Sequence, residues 1–501
     1  MVITYILYQK KILNIIKIKN IGGRKMGYKE FVTRSIEKNS EKIVNLSNKI
    51  FDLAEIGFRE YKSVEAFVEL LKTEEFSIEK GIAGMPTAFK ATYGHGKPII
   101  GFLAEYDALP NLGQVGGCSV FSPTKENKDG HGCGHNLIGA GAFAAALAVK
   151  EYLKENSKEG TVILFGCPSE EKGNGKTIMA REGVFTGTDI ALTWHPFDNT
   201  SVFDYGTLAN VSVFFSFQGI TAHAAAAPEM GRSALDAAEL MSVGVNYLRE
   251  HIIPEARVHY AYRDVGGIAP NIVQGHSTVH YFIRAPKSSQ VKEIYKRVID
   301  VAEGAAKMTG TKMSYDLYAG LSDFVPNHKL SEVVHESMKE IGAPEFDDKD
   351  MELAHKFFNS GTPEEIEAKK LAIKVKYGEE RAKEFFEKPL DMKIPPLVWG
   401  NKVLAGSTDV GDVSYVVPTA QLSYATATIG TAAHTWQMTA HGNTSIAHKG
   451  LFAASKALAL AAIKVLEDET LLKEIRNEWE KTFDNQYECP IPANIPPRLN
   501  D

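Results

Sequence analysis

Apolar positions along the chain follow two different periods. In "LSNKIFDLAEIGFREYKSVEAFVELLK" they recur every three to four residues, which predicts two amphipathic helices broken at Gly57. Three short, nearly continuous apolar runs come next, and each ends in something polar. "PIIGFLAEYDALP" carries Glu105 and Asp107 just past a strand, "TVILFGCPSEE" carries Glu170 and Glu171 past another, and "DIALTWHP" ends a third at His195. Strands of this kind, alternating with helices such as "LIGAGAFAAALAVKEYLKE", predict a parallel sheet covered on both faces. Ligands of open α/β sheets bind outside the carboxyl ends of the strands, so acids and a histidine collect where a site is expected.

The rhythm changes between about residues 206 and 320. Strand "VSVFFSFQG", helix "SALDAAELMSVGVNYLREHI", strands "RVHYAYRDVG" and "STVHYFIRAP", helix "SSQVKEIYKRVIDVAEGAAKM" and strand "KMSYDLY" follow one another. This β-α-β-β-α-β order is a split βαβ unit and predicts an inserted domain. Residues 343–400, including "GTPEEIEAKKLAIKVKYGEERAKEFFEKPLDM", read as a charged, solvated helical insertion. The chain then returns to α/β character with "QLSYATATIG" and a last helix, "GLFAASKALALAAIKVLED". No internal repeat interrupts this order.

Composition narrows the function classes. The chain has 501 residues, 44% of them hydrophobic and 24% charged, which is ordinary for a globular protein of two or three domains. A formal charge of −6, without a basic tract beyond the amino-terminal end, argues against nucleic acid or an anionic membrane as partner and for small molecules. The cysteines, Cys118, Cys133, Cys167 and Cys489, are few and irregularly spaced, which argues for a reducing compartment and a cytoplasmic protein. Residues 1–26 begin with an apolar run that lysines interrupt before it reaches signal-peptide or membrane-spanning length; they are expected to be a disordered extension, with Met26 as an alternative start.

The candidate chemistry centres on "HGCGHN". Cys133 and His135 offer a thiolate and an imidazole two residues apart, a set suited to zinc-type divalent metals, with glycines on either side of the cysteine that let the loop fold tightly before a helix. In "PSEE" adjacent carboxylates at a strand end diverge, so that Glu171 could ligate a metal while Glu170 faces a bound water as general base. His195 closes a strand with Pro196 behind it. Each feature alone is commonplace; the coincidence at three strand ends is not.

"HGCGHN", then "PSEE", then "TWHP" resemble the metal-binding series of the dinuclear-metal amidohydrolases and peptidases that include aminoacylases, carboxypeptidase-G-type enzymes and auxin-conjugate hydrolases. The "CGH" form resembles the amidohydrolase branch. "LAEYDALP", "QGITAHAAAAPEMGRSALDAAEL", "GGIAPNIV", "STDVGDVSYVVP" and "SIAHKG" extend the likeness toward the group acting on p-aminobenzoyl-glutamate-like substrates. The resemblance implies that Cys133, His135, Glu171, His195 and a carboxyl-terminal histidine hold two divalent ions, zinc or manganese. His448 in "SIAHKG" matches the last ligand best, with His434 and His441 as competitors. It implies Asp107 as the aspartate that orients a ligand, His223 in "TAHAA" as a donor to the substrate carbonyl, often across a dimer interface, and Asn271 and Arg284 as holders of the substrate backbone and carboxylate. Two departures stand out. Asn136 occupies a position that is aspartate in many of the "CGH" branch, and Glu105 replaces the histidine that the peptidase branch carries two residues before its aspartate.

The expectation is therefore an α/β protein. A discontinuous di-metal catalytic domain, residues 27–205 and 321–501, would contain a mixed, mainly parallel sheet. A ferredoxin-like dimerisation or lid domain would occupy 206–320. The expected reaction is metal-dependent hydrolysis of an N-acyl or N-aroyl amino acid, with a homodimer or a heterodimer with a homologous subunit as the assembly. A dipeptidase or aminopeptidase of the same fold, or a subunit that needs a homologous partner, are the alternatives.

Overall fold

The computed structural model describes residues 26–124, 128–400, 403–483 and 487–500; of the expected extension over 1–26 only Met26 lies within them. In chain order, β1 (Ser77–Lys80), β2 (Phe89–His95), β3 (Ile99–Ala104), β4 (Gly160–Gly166), β5 (Ile190–Phe197) and β6 (Ser201–Val202) enter a first sheet. β7 (Gly206–Thr207) leads out of it, and β8 (Ala209–Gln218), β9 (Arg257–Asp264), β10 (His276–Ala285) and β11 (Lys312–Leu321) build a second. β12 (Val403–Leu404) pairs with β7, and β13 (Thr419–Ala425) returns to the first sheet.

The first sheet has seven strands in the order β1-β2-β4-β3-β5-β13-β6. Its centre, β4-β3-β5-β13, is parallel throughout, and antiparallel strands flank it. Every residue of β4 and of β13 is buried, as continuous apolar runs require when both faces are covered. One face packs on the Ala-rich helix His135–Asn156 and, beside it, on the helix Ser445–Glu467, and the two helices also pack on each other. Small residues permit this contact: a Cβ on Gly141 would lie 2.5 Å from the Trp194 indole nitrogen. The short helices Gly175–Arg181 and Val410–Val416 pack on the opposite side. The expected α/β class with a large mixed sheet is the observed one.

The second sheet is antiparallel, in the order β11-β8-β10-β9, with helices Ala234–Leu248 and Ser288–Thr309 packed on it. In β10 burial alternates: Val279, Tyr281 and Ile283 join a core separate from that of the first sheet. Thr278, His280, Phe282 and Arg284 face the other way, as a strand's twofold period dictates.

Two details depart from the sequence reading. The insertion holds helices Asp348–Phe358, Pro363–Tyr377 and Glu379–Glu387, but it is not only a solvated face, because Phe358, Ile373, Ala382 and Phe385 close a small core with Ile429. The long carboxyl-terminal helix begins at Ser445 rather than Gly450, capped by the Thr444 side chain, and a further helix, Glu469–Phe483, follows it. Among the described residues no helix is long and apolar enough to cross a membrane.

Candidate metal centre

The parallel centre of the first sheet brings four strand ends side by side, and the candidate residues hang from them. Glu105 and Asp107 follow β3, Glu170 and Glu171 follow β4, His195 lies near the end of β5, and His434 sits in the loop after β13. The Cys133–His135 segment enters from above, at the start of the helix His135–Asn156. Gly134 caps that helix at φ 71°, and a Cβ there would meet Pro196 Cγ at 2.6 Å, so glycine lets the loop reach the end of β5.

Hydrogen bonds set the direction of each ligand. His135 Nδ1–H donates to Asp107 Oδ1 at 2.8 Å, while Asp107 Oδ2 accepts the Glu171 backbone N–H at 3.0 Å. Asp107 thereby fixes both an imidazole and the loop that carries a carboxylate. Burial pushes the Asp107 carboxyl up, but His135, the Glu171 backbone N–H and Lys176 together hold the group below its usual range. His195 Nδ1–H donates to its neighbour's carbonyl, Pro196 O, at 2.9 Å, which leaves Nε2 facing Cys133 Sγ at 3.3 Å. Burial, reinforced by His135, lowers His195 to about 4, so the ring is neutral and able to ligate.

Glu171 joins the two ends of the cluster. Its Oε1 is 3.8 Å from His135 Nε2 and 3.1 Å from His434 Nε2. The His434 backbone, at φ 60°, donates to Gly132 O at 2.8 Å, which ties the loop after β13 to the cysteine loop. Overlapping groups of ligand atoms result, each within 4.8 Å: Cys133, His135 and His195; Cys133, Glu171 and His434; His135, Glu170 and Glu171. Glu170 borders the cleft; burial, then Glu105, Glu171 and Asp409, push its carboxyl well above the usual range.

The donor set fits divalent metal. His135 Nε2 is buried without a hydrogen-bond partner, and two ligands at tetrahedral angles on bonds of ~2.0–2.1 Å are about 3.3 Å apart, close to the spacings observed. Thiolate, imidazole and carboxylate together suit zinc-like ions.

His448 is not brought to this cluster. It lies inside the helix Ser445–Glu467, where its Nε2–H donates to Asn48 Oδ1 at 3.1 Å and burial lowers the ring to about 4. His441 is likewise occupied, donating from Nδ1 to Gln437 O at 2.7 Å and accepting from Thr428. Of the three competing histidines only His434 reaches the ligand atoms, a correction to the preference for His448. The strand-end rule that located the other residues would have selected it, since it alone follows a strand of the parallel centre without an intervening helix. The first histidine of "HGCGHN", His131, bonds Ile50 O at 3.0 Å, and Asn136 donates to Gly442 O at 2.9 Å and Ser47 Oγ at 3.1 Å; both tie the loop to the core.

The residues of the second sheet divide. Arg284 lines a cavity of ≈ 530 Å³ together with Cys133, Glu170, Glu171, His195 and His434. Its Nε is buried without a partner, and its closest hydrogen bond is Nη1 to Ala405 O at 3.5 Å. His223 and Asn271 are exposed, do not line that cavity, and sit beside each other, with Ala224 N donating to Asn271 O at 2.9 Å. His223 Nδ1 accepts the backbone N–H groups of Ala225 and Ala226, both at 3.2 Å, which leaves the ring's Nε2 turned outward as a donor.

Sequence reasoning passed over a buried group beneath the cluster. Lys176 Nζ meets Glu105 Oε1 at 2.8 Å and Asp409 Oδ1 at 2.5 Å, and all three side chains are inaccessible or nearly so.

Comparison with known proteins follows this geometry. The family described as peptidase family M20/M25/M40 matches residues 101–363. A subunit of the p-aminobenzoyl-glutamate hydrolase of Escherichia coli (strain K12) is 42% identical over 471 residues, covering 93% of this chain and 98% of that one. The Xaa-Arg dipeptidase of Mus musculus is 28% identical over 462 residues, covering 89% and 90%. Among solved structures, the YXEP protein of Bacillus subtilis, described as a dinuclear metal binding peptidase, superposes with a TM-score of 0.55 at 16% identity, covering 86% of this chain and 99% of that one.

Proposed function

The chain belongs to the M20/M25/M40 peptidase family and is a metal-dependent hydrolase of amide bonds, and from that premise we propose that its substrate is an N-acyl or N-aroyl amino acid of the p-aminobenzoyl-glutamate type. The observation that carries the substrate class is Arg284. A guanidinium with a buried, unpartnered Nε in the same cavity as the ligand cluster calls for an anion, and a substrate carboxylate supplies one through paired hydrogen bonds.

Cys133, His135, Glu171, His195 and His434 would hold two divalent ions, zinc or manganese; the relative from Bacillus subtilis is described as dinuclear, which supports that number. Bound there, such ions polarise a carbonyl and acidify water. Glu170 takes the proton of the attacking water and returns it to the departing nitrogen. Asp107 keeps His135 in the tautomer whose Nε2 lone pair faces the cluster. His223 and Asn271, exposed and outside the cavity lining in this chain, would act on substrate held by a second subunit, with His223 Nε2–H directed at the carbonyl oxygen. Four unpaired cysteines suit a cytoplasmic site of action.

The test is release of free amino acid from p-aminobenzoyl-glutamate, N-acetyl amino acids and simple dipeptides by protein loaded with zinc or manganese. Cleavage of p-aminobenzoyl-glutamate is expected. Cleavage of dipeptides alone would replace this reading with the dipeptidase one. The Escherichia coli relative is named as one subunit of its enzyme, which favours one second reading: turnover that starts only when a homologous chain is added.

A further inference from the structure

We propose that Glu60 is a positioning residue for Glu170, acting through the backbone of Ser169. This rests on the general-base reading above and adds a residue that it does not use. Ser169, fully buried, stands directly before Glu170 and has φ 56°, a left-handed conformation that serine seldom adopts unaided. Its N–H donates to the buried Glu60 Oε1 at 2.8 Å. On the other side of Glu170, the Glu171 N–H donates to Asp107 Oδ2 at 3.0 Å. Two carboxyl groups from separate segments therefore hold the backbone before and after the general base.

The brace comes from a segment that carries none of the candidate ligands. Glu60 stands at the start of the helix Tyr61–Thr73, whose Val64, Phe67 and Leu71 are buried in the core of the first sheet, and its carbonyl accepts the Val64 N–H at 2.9 Å. A few residues earlier, Glu55 O accepts the Ala108 N–H at 2.8 Å, next to Asp107. Residues 55–60 thus tie down both loops. Between these two contacts Gly57 packs directly on Ser169: a Cβ there would lie 2.4 Å from Ser169 Oγ and 3.1 Å from Ser169 Cα. The Gly173 N–H, 3.0 Å from both Ser169 O and Ser169 Oγ, closes the turn on its far side.

The left-handed turn at Ser169 takes the chain off β4 and places Glu170 at the wall of the cavity. Without an acceptor at residue 60 the buried Ser169 N–H is left unpaired, and the turn relaxes toward a conformation serine prefers, which re-aims the next side chain. Glu171 keeps its own bond to Asp107, so the ligand set is disturbed less than the base.

The test compares Glu60→Met, which keeps the length of the side chain but removes the acceptor, with Glu60→Gln, which keeps both, in the full-length protein loaded with zinc. kcat and KM are measured on whichever amide of the panel above wild type cleaves fastest, beside bound metal per chain. Glu60→Met should lower kcat per metal-loaded chain by about 10- to 100-fold and leave KM unchanged, and Glu60→Gln should restore most of that loss. In the Glu170→Gln background Glu60→Met should have no further effect, because it acts through a base already removed. A further fall of the same size in that background would overturn the proposal. So would a loss in Glu60→Met that only tracks lost metal or lost folded protein, or a Glu60→Gln as slow as Glu60→Met. Where Glu60→Met does not fold, Gly57→Ala presses on Ser169 from the same segment; lower kcat with metal retained is expected, and wild-type kcat would overturn the brace. Wild-type turnover in Glu170→Gln alone would sink the general-base reading itself.

Discussion

The strand ends of the first sheet and the exposed loops of the second present their chemistry in opposite ways. Cys133, His135, Glu171, His195 and His434 converge from four segments on one cluster, buried on the sheet side and open at His434, and oriented by Asp107, by the Pro196 carbonyl and by a backbone bond from His434 to Gly132. His223 and Asn271 bond mainly to their own backbone surroundings, are exposed, and do not line the cavity of that cluster. A site that must hold metal needs its ligands fixed before the ion arrives. A donor that serves the substrate only during reaction can be supplied from another surface.

This contrast makes separable predictions. The largest effect belongs to Glu170→Gln, which should lower turnover by about 10²–10⁴-fold while metal content is retained, as elemental analysis and amino acid release together would show. Loss of metal in that variant would make Glu170 a ligand instead. His223→Ala should follow, with turnover reduced by about 10²–10³-fold and metal content intact. Mixing it with Glu170→Gln sharpens the comparison: hybrid dimers should recover turnover that neither variant has, and no recovery would place His223 outside a shared site. Arg284→Met should raise KM for p-aminobenzoyl-glutamate by about 10- to 100-fold, the worth of a hydrogen bond to a charged group, with a smaller change in kcat.

The smallest effect concerns stability. Burial, followed by the charge of Asp107, raises the Glu60 carboxyl from 4.5 to about 8. Between those values the unfolded chain loses a proton that the folded chain keeps, so stability falls as pH rises through this window and levels off above it. Glu60→Gln should remove that slope, read as a melting temperature less dependent on pH between about 5 and 8.

Legibility followed the range of the interactions. Glu170, Glu171 and His195 are visible because each lies in a short motif at the end of an apolar strand, and Cys133 and His135 because they share a glycine-rich motif just before an apolar helix. His434 was harder. It lies in a loop beyond β13 with no ligand-like neighbour in sequence, whereas "SIAHKG" offered His448 beside a conspicuous helix that in fact encloses it. Lys176 and Asp409 are 233 positions apart, so their pairing beneath the centre leaves no local pattern. The small core of the insertion was hidden for the same reason, since Ile429, which completes it, belongs to the loop after β13.

The most direct measurement compares the metal content of His434→Ala and His448→Ala after identical loading with zinc and dialysis. His434→Ala should retain less metal than wild type, with affinity down at least about tenfold, because it removes an imidazole 3.1 Å from Glu171, whereas His448→Ala should retain the full complement. Full metal in His434→Ala together with loss in His448→Ala would contradict the assignment of the centre to the strand ends.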